Sequence, residues 1–166
     1  MEEEFHNHMR IPWHDYTRKS IGRPITEASL SEKASIIGRT GIMLLSCGTG
    51  AWRVRSSMNT LARELGITCT ADIGLLSIEY TCIDGGNCYT ESLCLFNTGV
   101  NTSKLYRMEL FVNKFSKNCK KMSGDELHTL LDQIHEIHGF YSPPFLGLAA
   151  AVAVSYTHLR AHETRG

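Results

Sequence analysis

Between residues 29 and 65, apolar residues recur at steps of three and four, the spacing of a helix with one buried face. Ser29-x-x-Glu32 has the pattern of a capping box, in which the two side chains bind the exposed N–H groups of the first turn. It predicts the start of a helix that ends at Gly48. A second helix is predicted from Ala51 to Leu65, because Gly66 follows as a stop signal. The pattern therefore predicts a helical hairpin.

The following segment alternates apolar and polar residues, as a half-buried strand does. Strands are predicted at 67–73, 75–83 and 88–96. The sequence Asp84-Gly-Gly-Asn87 predicts a two-residue hairpin loop between the last two strands, because glycine takes a positive φ at both central positions at no steric cost. A small antiparallel sheet with one tight hairpin is expected.

Helical spacing returns after residue 101 and predicts two further helices. The first carries its apolar stripe over residues 105–115 and starts near Thr102 or Ser103, whose hydroxyl groups suit an N-cap. The second begins at another capping box, Ser123-x-x-Glu126, and Gly139 is expected to end it. The predicted fold class is α+β, with one cytosolic domain over residues 26–140.

Three segments are predicted outside this domain. Residues 1–25 have no apolar period and are interpreted as a mobile N-terminal arm. Residues 141–153 are interpreted as the start of a first transmembrane helix, because the apolar run of 145–154 supplies half of the roughly 20 residues that a span requires. Residues 154–166 turn polar abruptly and resemble an in-frame translation of a transposase sequencing adaptor, so this tail is expected to be non-native.

The composition restricts the possible partners and the compartment. Lysine plus arginine equals aspartate plus glutamate at 17 each, so nucleic acid is not an expected partner. The N-terminus lacks the basic start and apolar stretch of a secretory signal, so the domain is expected to stay in the cytosol. The six cysteines form no Cys-x-x-Cys pair, so neither zinc nor another cofactor is predicted. Cys82, Cys88 and Cys94 are interpreted as small apolar fillers of strands.

Few residues suggest chemistry, and the absence of phosphate-binding loops and catalytic motifs argues against an enzyme. The weak candidates for substrate contacts are Arg53, Arg55 and Glu79. The two arginines follow a glycine-rich turn at a helix N-terminus, where an anion could bind, although a plain turn between helices explains the glycines equally well. Glu79 is either a paired carboxylate or a residue of the polar sheet face.

The histidines of the fourth predicted helix are a separate candidate. His128, His135 and His138 lie close enough along one helix to suggest metal ligands. They also border the apolar stripe, so the alternative interpretation is that they are solvated side chains on the helix surface. The second interpretation is favoured here.

Three segments together resemble the N-terminal part of the threonine/serine exporter family. They are the stretch 44–66, the Asp84-Gly-Gly hairpin, and Thr98-Gly-Val-Asn-Thr-Ser-Lys-Leu105. The resemblance covers about residues 30–153. It implies a cytosolic α+β domain fused to several membrane helices, and proton-coupled export of small polar amino acids. A related two-component branch implies succinate export instead.

The resemblance also sets expectations about substrate and partners. Family members often carry Gly-Ala-Glu-x-x-Arg-Val-Glu at the inter-helix turn; here Arg53-Val54 matches, while Gly50 and Arg55 stand where the glutamates would be. The implied partners are a C-terminal membrane domain, the lipid bilayer, a small amino or organic acid, and a second copy or second membrane subunit. The full-length protein is expected in the inner membrane. The alternative hypothesis is a cytosolic anion-sensing or assembly module.

Overall fold

Four α-helices and a three-stranded antiparallel sheet form the domain in the computed structural model, which describes residues 11–18, 22–96 and 98–137. The α+β prediction is confirmed. The elements in chain order are two short 3-10 helices, Trp13–Thr17 (the N-terminal turn) and Ile25–Glu27, then α1 Leu30–Ser46, α2 Ala51–Glu64, β1 Thr68–Ile73, β2 Ser77–Asp84, β3 Asn87–Cys94, α3 Thr102–Lys114 with a π-helical turn Phe115–Cys119, and α4 Gly124–His135.

Helix α1 lies at the centre of the fold. The sheet, α2, α4 and the N-terminal turn all contact it, and every residue from Glu32 to Leu45 is buried. The prediction of a single buried face is therefore wrong for α1, because neighbours cover it on all sides. Its predicted ends are confirmed: Ser29 accepts a hydrogen bond from the Glu32 N–H at 3.4 Å, and Gly48 follows the last turn with a φ of +76°.

Strand β2 is the middle strand of the sheet, in the order β1-β2-β3. The two-residue loop is confirmed, since Asp84 pairs with Asn87 while Gly85 and Gly86 have φ values of +54° and +94°. The inner face of the sheet contributes Ile78, Tyr80, Cys82 and Leu93 to the core.

The interpretation of the strand cysteines as apolar fillers holds for Cys82, which is buried. It is wrong for Cys88 and Cys94, which are exposed. In the antiparallel register Cys88 lies opposite Ile83, and Cys94 lies opposite Ser77. These positions belong to the outward face of the sheet, because side chains alternate along a strand and Cys82 points inward. All six cysteines, each within the described residues, are free thiols.

Helices α3 and α4 begin at side-chain caps. The N-cap of α3 is Asn101, whose side chain accepts from the Lys104 N–H at 2.9 Å, so the predicted Thr102 or Ser103 is too late. The capping box of α4 is confirmed: Ser123 Oγ accepts from the Glu126 N–H at 3.3 Å, and the Ser123 N–H donates to Glu126 at 2.8 Å. Helix α4 ends at His135, before the predicted stop at Gly139, which lies outside the described residues.

Part of the predicted N-terminal arm packs on the domain. The N-terminal turn contacts α1 and α4, and the side chains of Trp13 and Ile25 are buried. The interpretation of residues 1–25 as a mobile arm does not hold for these two residues, because one large aromatic side chain buries a large apolar area without any periodicity. Residues 1–10 and 19–21 lie outside the described part of the chain.

The predicted membrane segment lies outside the described residues, as does the predicted non-native tail of 154–166. Within the ranges that the structure describes, no helix has the length and apolar character needed to cross a bilayer.

A buried polar cluster as candidate functional site

Four polar side chains follow one face of α4: Asp125, His128, Asp132 and His135. Their steps of three, four and three residues keep them on the same side of the helix. Helix α1 and the N-terminal turn pack against α4, and their polar side chains bind three of these four residues. The cluster joins segments that are about 90 or more residues apart in the chain.

His128 is fully buried, and its two ring nitrogens have different partners. The hydroxyl hydrogen of Ser35 is donated to the Glu32 carbonyl at 2.7 Å, so Nε2–H of His128 donates to Ser35 Oγ at 3.0 Å. Nδ1 then accepts from Nη1 of Arg39 at 3.2 Å. Burial, together with the charge of Arg39, lowers the pKa of His128 to about 3. The ring is therefore neutral.

The guanidinium of Arg39 is the buried cation of the cluster, with 5% of the residue exposed. Its Nη1 also donates to the His128 carbonyl oxygen at 3.0 Å, and its Nη2 donates to Asp132. Burial lowers the pKa of Arg39, while the bond to Asp132 opposes that shift; an arginine nonetheless stays charged. These bonds use three of the five N–H donors of the guanidinium.

His14 bridges two carboxylates of α4. Its Nδ1 lies 2.6 Å from Asp125 Oδ1, and its Nε2 lies 2.9 Å from Asp132 Oδ2. Both nitrogens need a hydrogen to donate to these acceptors, so the ring is an imidazolium. The hydrogen bonds to Asp125 and Asp132 raise the pKa of His14, and the bond from His14 in turn lowers the pKa of Asp125. The ion pairs attach the N-terminal turn to α4.

For Asp132, two effects on the pKa oppose each other. Burial favours the neutral acid, but hydrogen bonds from Arg39 and His14 favour the carboxylate more strongly, so the pKa is lowered. Asp132 is the residue that both cations share, and it is about half exposed. The cluster is therefore a chain of alternating charges that runs from Arg39 through Asp132 and His14 to Asp125.

A cavity of about 310 Å³ opens beside this chain of charges. Trp13 forms an aromatic part of its wall, since the Trp13 ring stacks on His128 with 6.0 Å between centroids and has Cζ of Arg39 5.7 Å from its centre. Nδ1 of His135 is buried without a hydrogen-bond partner in the described part of the chain. The lining residues are Ile11, Pro12, Trp13, His14, Arg39, Asp132 and His135. A concave, partly apolar site with a few convergent polar groups is typical of small-molecule binding.

The three substrate contacts that the sequence suggested lie elsewhere and have separate neighbours. Arg53 donates to Glu109 of α3 at 2.9 Å, and both side chains are about half exposed. Arg55 donates from Nε to the carbonyl oxygen of Ala71 in β1 at 3.0 Å. Glu79 is exposed on the outer sheet face.

The glycine turn before α2 has a structural explanation. Gly48 takes a positive φ where α1 ends, and the N–H of Gly99 donates to the Ser46 carbonyl oxygen at 3.2 Å. A residue with a side chain would be strained at Gly48. These observations support the interpretation of the turn as an inter-helix connection.

The interpretation of the α4 histidines as solvated is wrong for His128, which is fully buried. Among the described residues, no group of three or more histidine, cysteine, aspartate or glutamate side chains could hold a metal ion; His138 lies outside them. The sequence did contain a signal for the cluster: Arg39 lies between the apolar stretches Ile36-Ile37 and Ile42–Leu45 of α1, where a buried charge requires a partner. Its partners, on the polar stripe of α4, were not recognised.

Comparison with known proteins finds one family. A family model described as "Putative threonine/serine exporter" matches residues 35–160. None of the curated proteins and none of the solved structures matches the chain. The matched range includes Arg39 and all of α4, but not the N-terminal turn that carries Trp13 and His14. Because the match spans most of the chain, the protein belongs to the threonine/serine exporter family, which is a family of transporters and not of enzymes.

Proposed function

We propose that this chain is the N-terminal, cytosolic part of a membrane exporter of threonine and serine, and that protons drive the export. The observation that carries the proposal is the family match over residues 35–160. The apolar run of 145–154 supports it, because half of a membrane span follows the folded domain at the place where the family resemblance expects membrane helices.

On this proposal the chain does not transport a solute by itself. A transport path needs several complete spans, because a polar solute crosses a bilayer only along a path that membrane helices enclose. Residues 141–153 are proposed to be the start of the first span, and residues 154–166 to be non-native. The full-length protein is then a multi-pass protein of the inner membrane, with this domain at its cytosolic face.

The reading frame is tested first. Long-read sequencing of the source DNA across codon 153 is expected to show a frame that continues through several apolar stretches of about 20 residues. A frame that encodes Ser155–Gly166 and then stops would contradict the proposal that the chain is a fragment.

The transport activity is tested on the full-length protein in lipid vesicles. With a pH gradient imposed, we expect flux of labelled threonine or serine, and we expect it to stop when a protonophore removes the gradient. Vesicles without protein are the control. Flux of succinate alone would identify a dicarboxylate exporter instead, and the absence of flux for all three solutes would contradict the exporter proposal.

A second candidate function is a cytosolic anion-sensing or assembly module, favoured by the buried cation that lines a cavity in this domain. Within either function, Arg53, Arg55 and Glu79 stay proposed substrate contacts. If Arg53 binds the solute, Arg53→Ala should weaken binding of a small anion to the full chain. Arg63→Ala is the matched control, because Arg63 lies exposed in the last turn of the same helix. Equal affinity in both variants would show that Arg53 does not bind the anion.

A further inference from the structure

We infer that the cavity between the N-terminal turn, α1 and α4 binds a small carboxylate, and that Arg39 and His135 are the groups that bind it. Neither the family description nor the sequence places a ligand here. The inference rests on the proposed function only for its choice of ligands, because threonine, serine and succinate all carry a carboxylate. The site itself is argued from the geometry of the cavity.

Arg39 supplies the donors. Both hydrogens of Nη1 go to His128, and one hydrogen of Nη2 goes to Asp132. Its Nε–H and the second Nη2 hydrogen have no partner among the described residues. Among the described residues no nitrogen of Arg39 is both buried and unpaired, so its Nε–H is open to the cavity or to solvent. A carboxylate is the ligand class that satisfies these two donors best, since a guanidinium can bind it with two parallel hydrogen bonds.

His135 supplies a second polar atom on the same wall. Its Nδ1 is buried and has no hydrogen-bond partner in the described ranges, yet the residue lines the cavity together with Arg39. A polar atom that is buried without a partner often marks the place of a ligand or an ordered water. A rotation of the imidazole ring that brings Nδ1–H to the cavity would let a carboxylate oxygen accept its hydrogen bond.

The charges around the cavity favour an anion. Arg39 and His14 are positive and line it, while Asp132 is the negative group among the lining residues. His135 adds no charge near neutral pH, because burial and the charges of Lys104 and Arg39 lower its pKa. The lining residues carry one excess positive charge, but the cluster as a whole is neutral because Asp125 lies 2.6 Å from His14, so the attraction for an anion is local to the cavity wall. The carboxylate that balances the cluster, Asp125, is not part of the lining.

The size and the apolar wall restrict the ligand further. About 310 Å³ lies at the small end of ligand pockets, which range from roughly 300 to 1,000 Å³. Ile11, Pro12 and Trp13 form a wall that contacts carbon atoms rather than more charge. We therefore expect an organic acid of a few carbon atoms, and weaker binding of an inorganic anion such as sulfate.

The test is a titration of the full 166-residue chain with threonine, serine, succinate and sulfate, followed by NMR of the histidine rings. We expect saturable binding of at least one carboxylate, a shift of the His135 ring signals, and a rise in the pKa of His135. His135→Phe keeps the ring volume and removes both nitrogens. It should weaken binding about tenfold or more, the equivalent of one hydrogen bond to a charged group.

Two further variants complete the experiment. Arg39→Lys keeps the positive charge but loses the paired donors of the guanidinium, so it should abolish binding. If this variant does not fold, His135→Phe still tests the carboxylate site. Gln133→Ala is the matched control, because Gln133 is exposed on the same helix and does not line the cavity. Absence of saturable binding to the wild-type chain, equal affinity for sulfate, or no effect of His135→Phe would each overturn the inference.

The outcome is independent of transport. Binding is measured in solution without a membrane, whereas export is measured as flux in vesicles. Flux without binding here would overturn the carboxylate site alone, and binding without flux would overturn the exporter proposal alone.

Discussion

The phenolic oxygen of Tyr80 lies against the bare Cα of Gly38, so that a Cβ at residue 38 would be 2.2 Å from it. This close approach lets α1 lie directly on the middle strand of the sheet. The Tyr80 hydroxyl lies 3.1 Å from the Ala34 carbonyl oxygen and 2.6 Å from Glu91 Oε2. Burial, reinforced by the charge of Glu91, raises the pKa of Tyr80, so the phenol stays protonated.

Gly38→Ala should therefore destabilise the fold, although alanine normally favours a helix over glycine. The new methyl group forces Tyr80 or α1 to move, and overpacking of this kind costs about 1–3 kcal/mol. Urea unfolding measures the change. Gly99→Ala is the control, because a Cβ there would contact nothing within 4 Å. Equal stability of the two variants would show that Tyr80 moves aside at no cost.

The attachment of the N-terminal turn to α4 should weaken as the pH rises. The pKa of His14 is raised in the folded state. The charged ring therefore stabilises the fold fully below the unfolded pKa of about 6.5, and this stabilisation is lost as the pH rises through the folded pKa. The groups that face it are Asp125, Asp132, His128 and Arg39. Because His14 and both carboxylates are about half exposed, the effect should be below about 1 kcal/mol.

His14→Gln provides the comparison, since glutamine is neutral at every pH. Urea unfolding at pH 6 and pH 9 should show a loss of stability in the wild type that is smaller in the variant. NMR of the His14 ring should also give a pKa above about 6.5. A ring pKa at or below that value would contradict the bridged imidazolium.

His128 should make the domain sensitive to acid. Its folded pKa is about 3 against about 6.5 in an unfolded chain, so between these values the unfolded state binds a proton that the folded state does not. Stability should fall by about 2 kcal/mol when the pH drops from 6.5 to 5, because each pH unit is worth about 1.4 kcal/mol. His128→Gln, whose amide can also donate and accept, should have a shallower slope. Parallel slopes would show that His128 takes up its proton in the folded state.

The capping box of α4 should add about as much to the free energy of unfolding as the N-caps of other helices do. Ser123→Ala removes the oxygen that accepts from the Glu126 N–H and should cost about 1 kcal/mol. Thr129→Ala is a matched control: its hydroxyl donates to the Asp125 carbonyl within the same helix and is exposed, and alanine is the better helix former. Thermal unfolding should show a lower Tm for Ser123→Ala only.

Several elements could be predicted from the sequence because short-range interactions decide them. The capping box at Ser123, the stop at Gly66 and the loop at Gly85-Gly86 each depend on a few consecutive residues, and the structure confirms all three. The apolar face of α2 is also confirmed, since Val54, Met58 and Leu61 are buried. The family resemblance likewise depended on local segments, and the family match confirms it.

Tertiary structure alone decided the environment of the polar cluster. His128 and Arg39 lie 89 residues apart in the chain, and His14 and Asp132 lie 118 apart. No local pattern states which polar side chain will be enclosed, because burial depends on which elements cover it after folding. The spacing of apolar residues correctly predicted that Arg39 and His128 lie in helices. Their burial, their charge states and the cavity beside them follow from the packing of the N-terminal turn and α4 on α1, where desolvation and paired charges set each pKa.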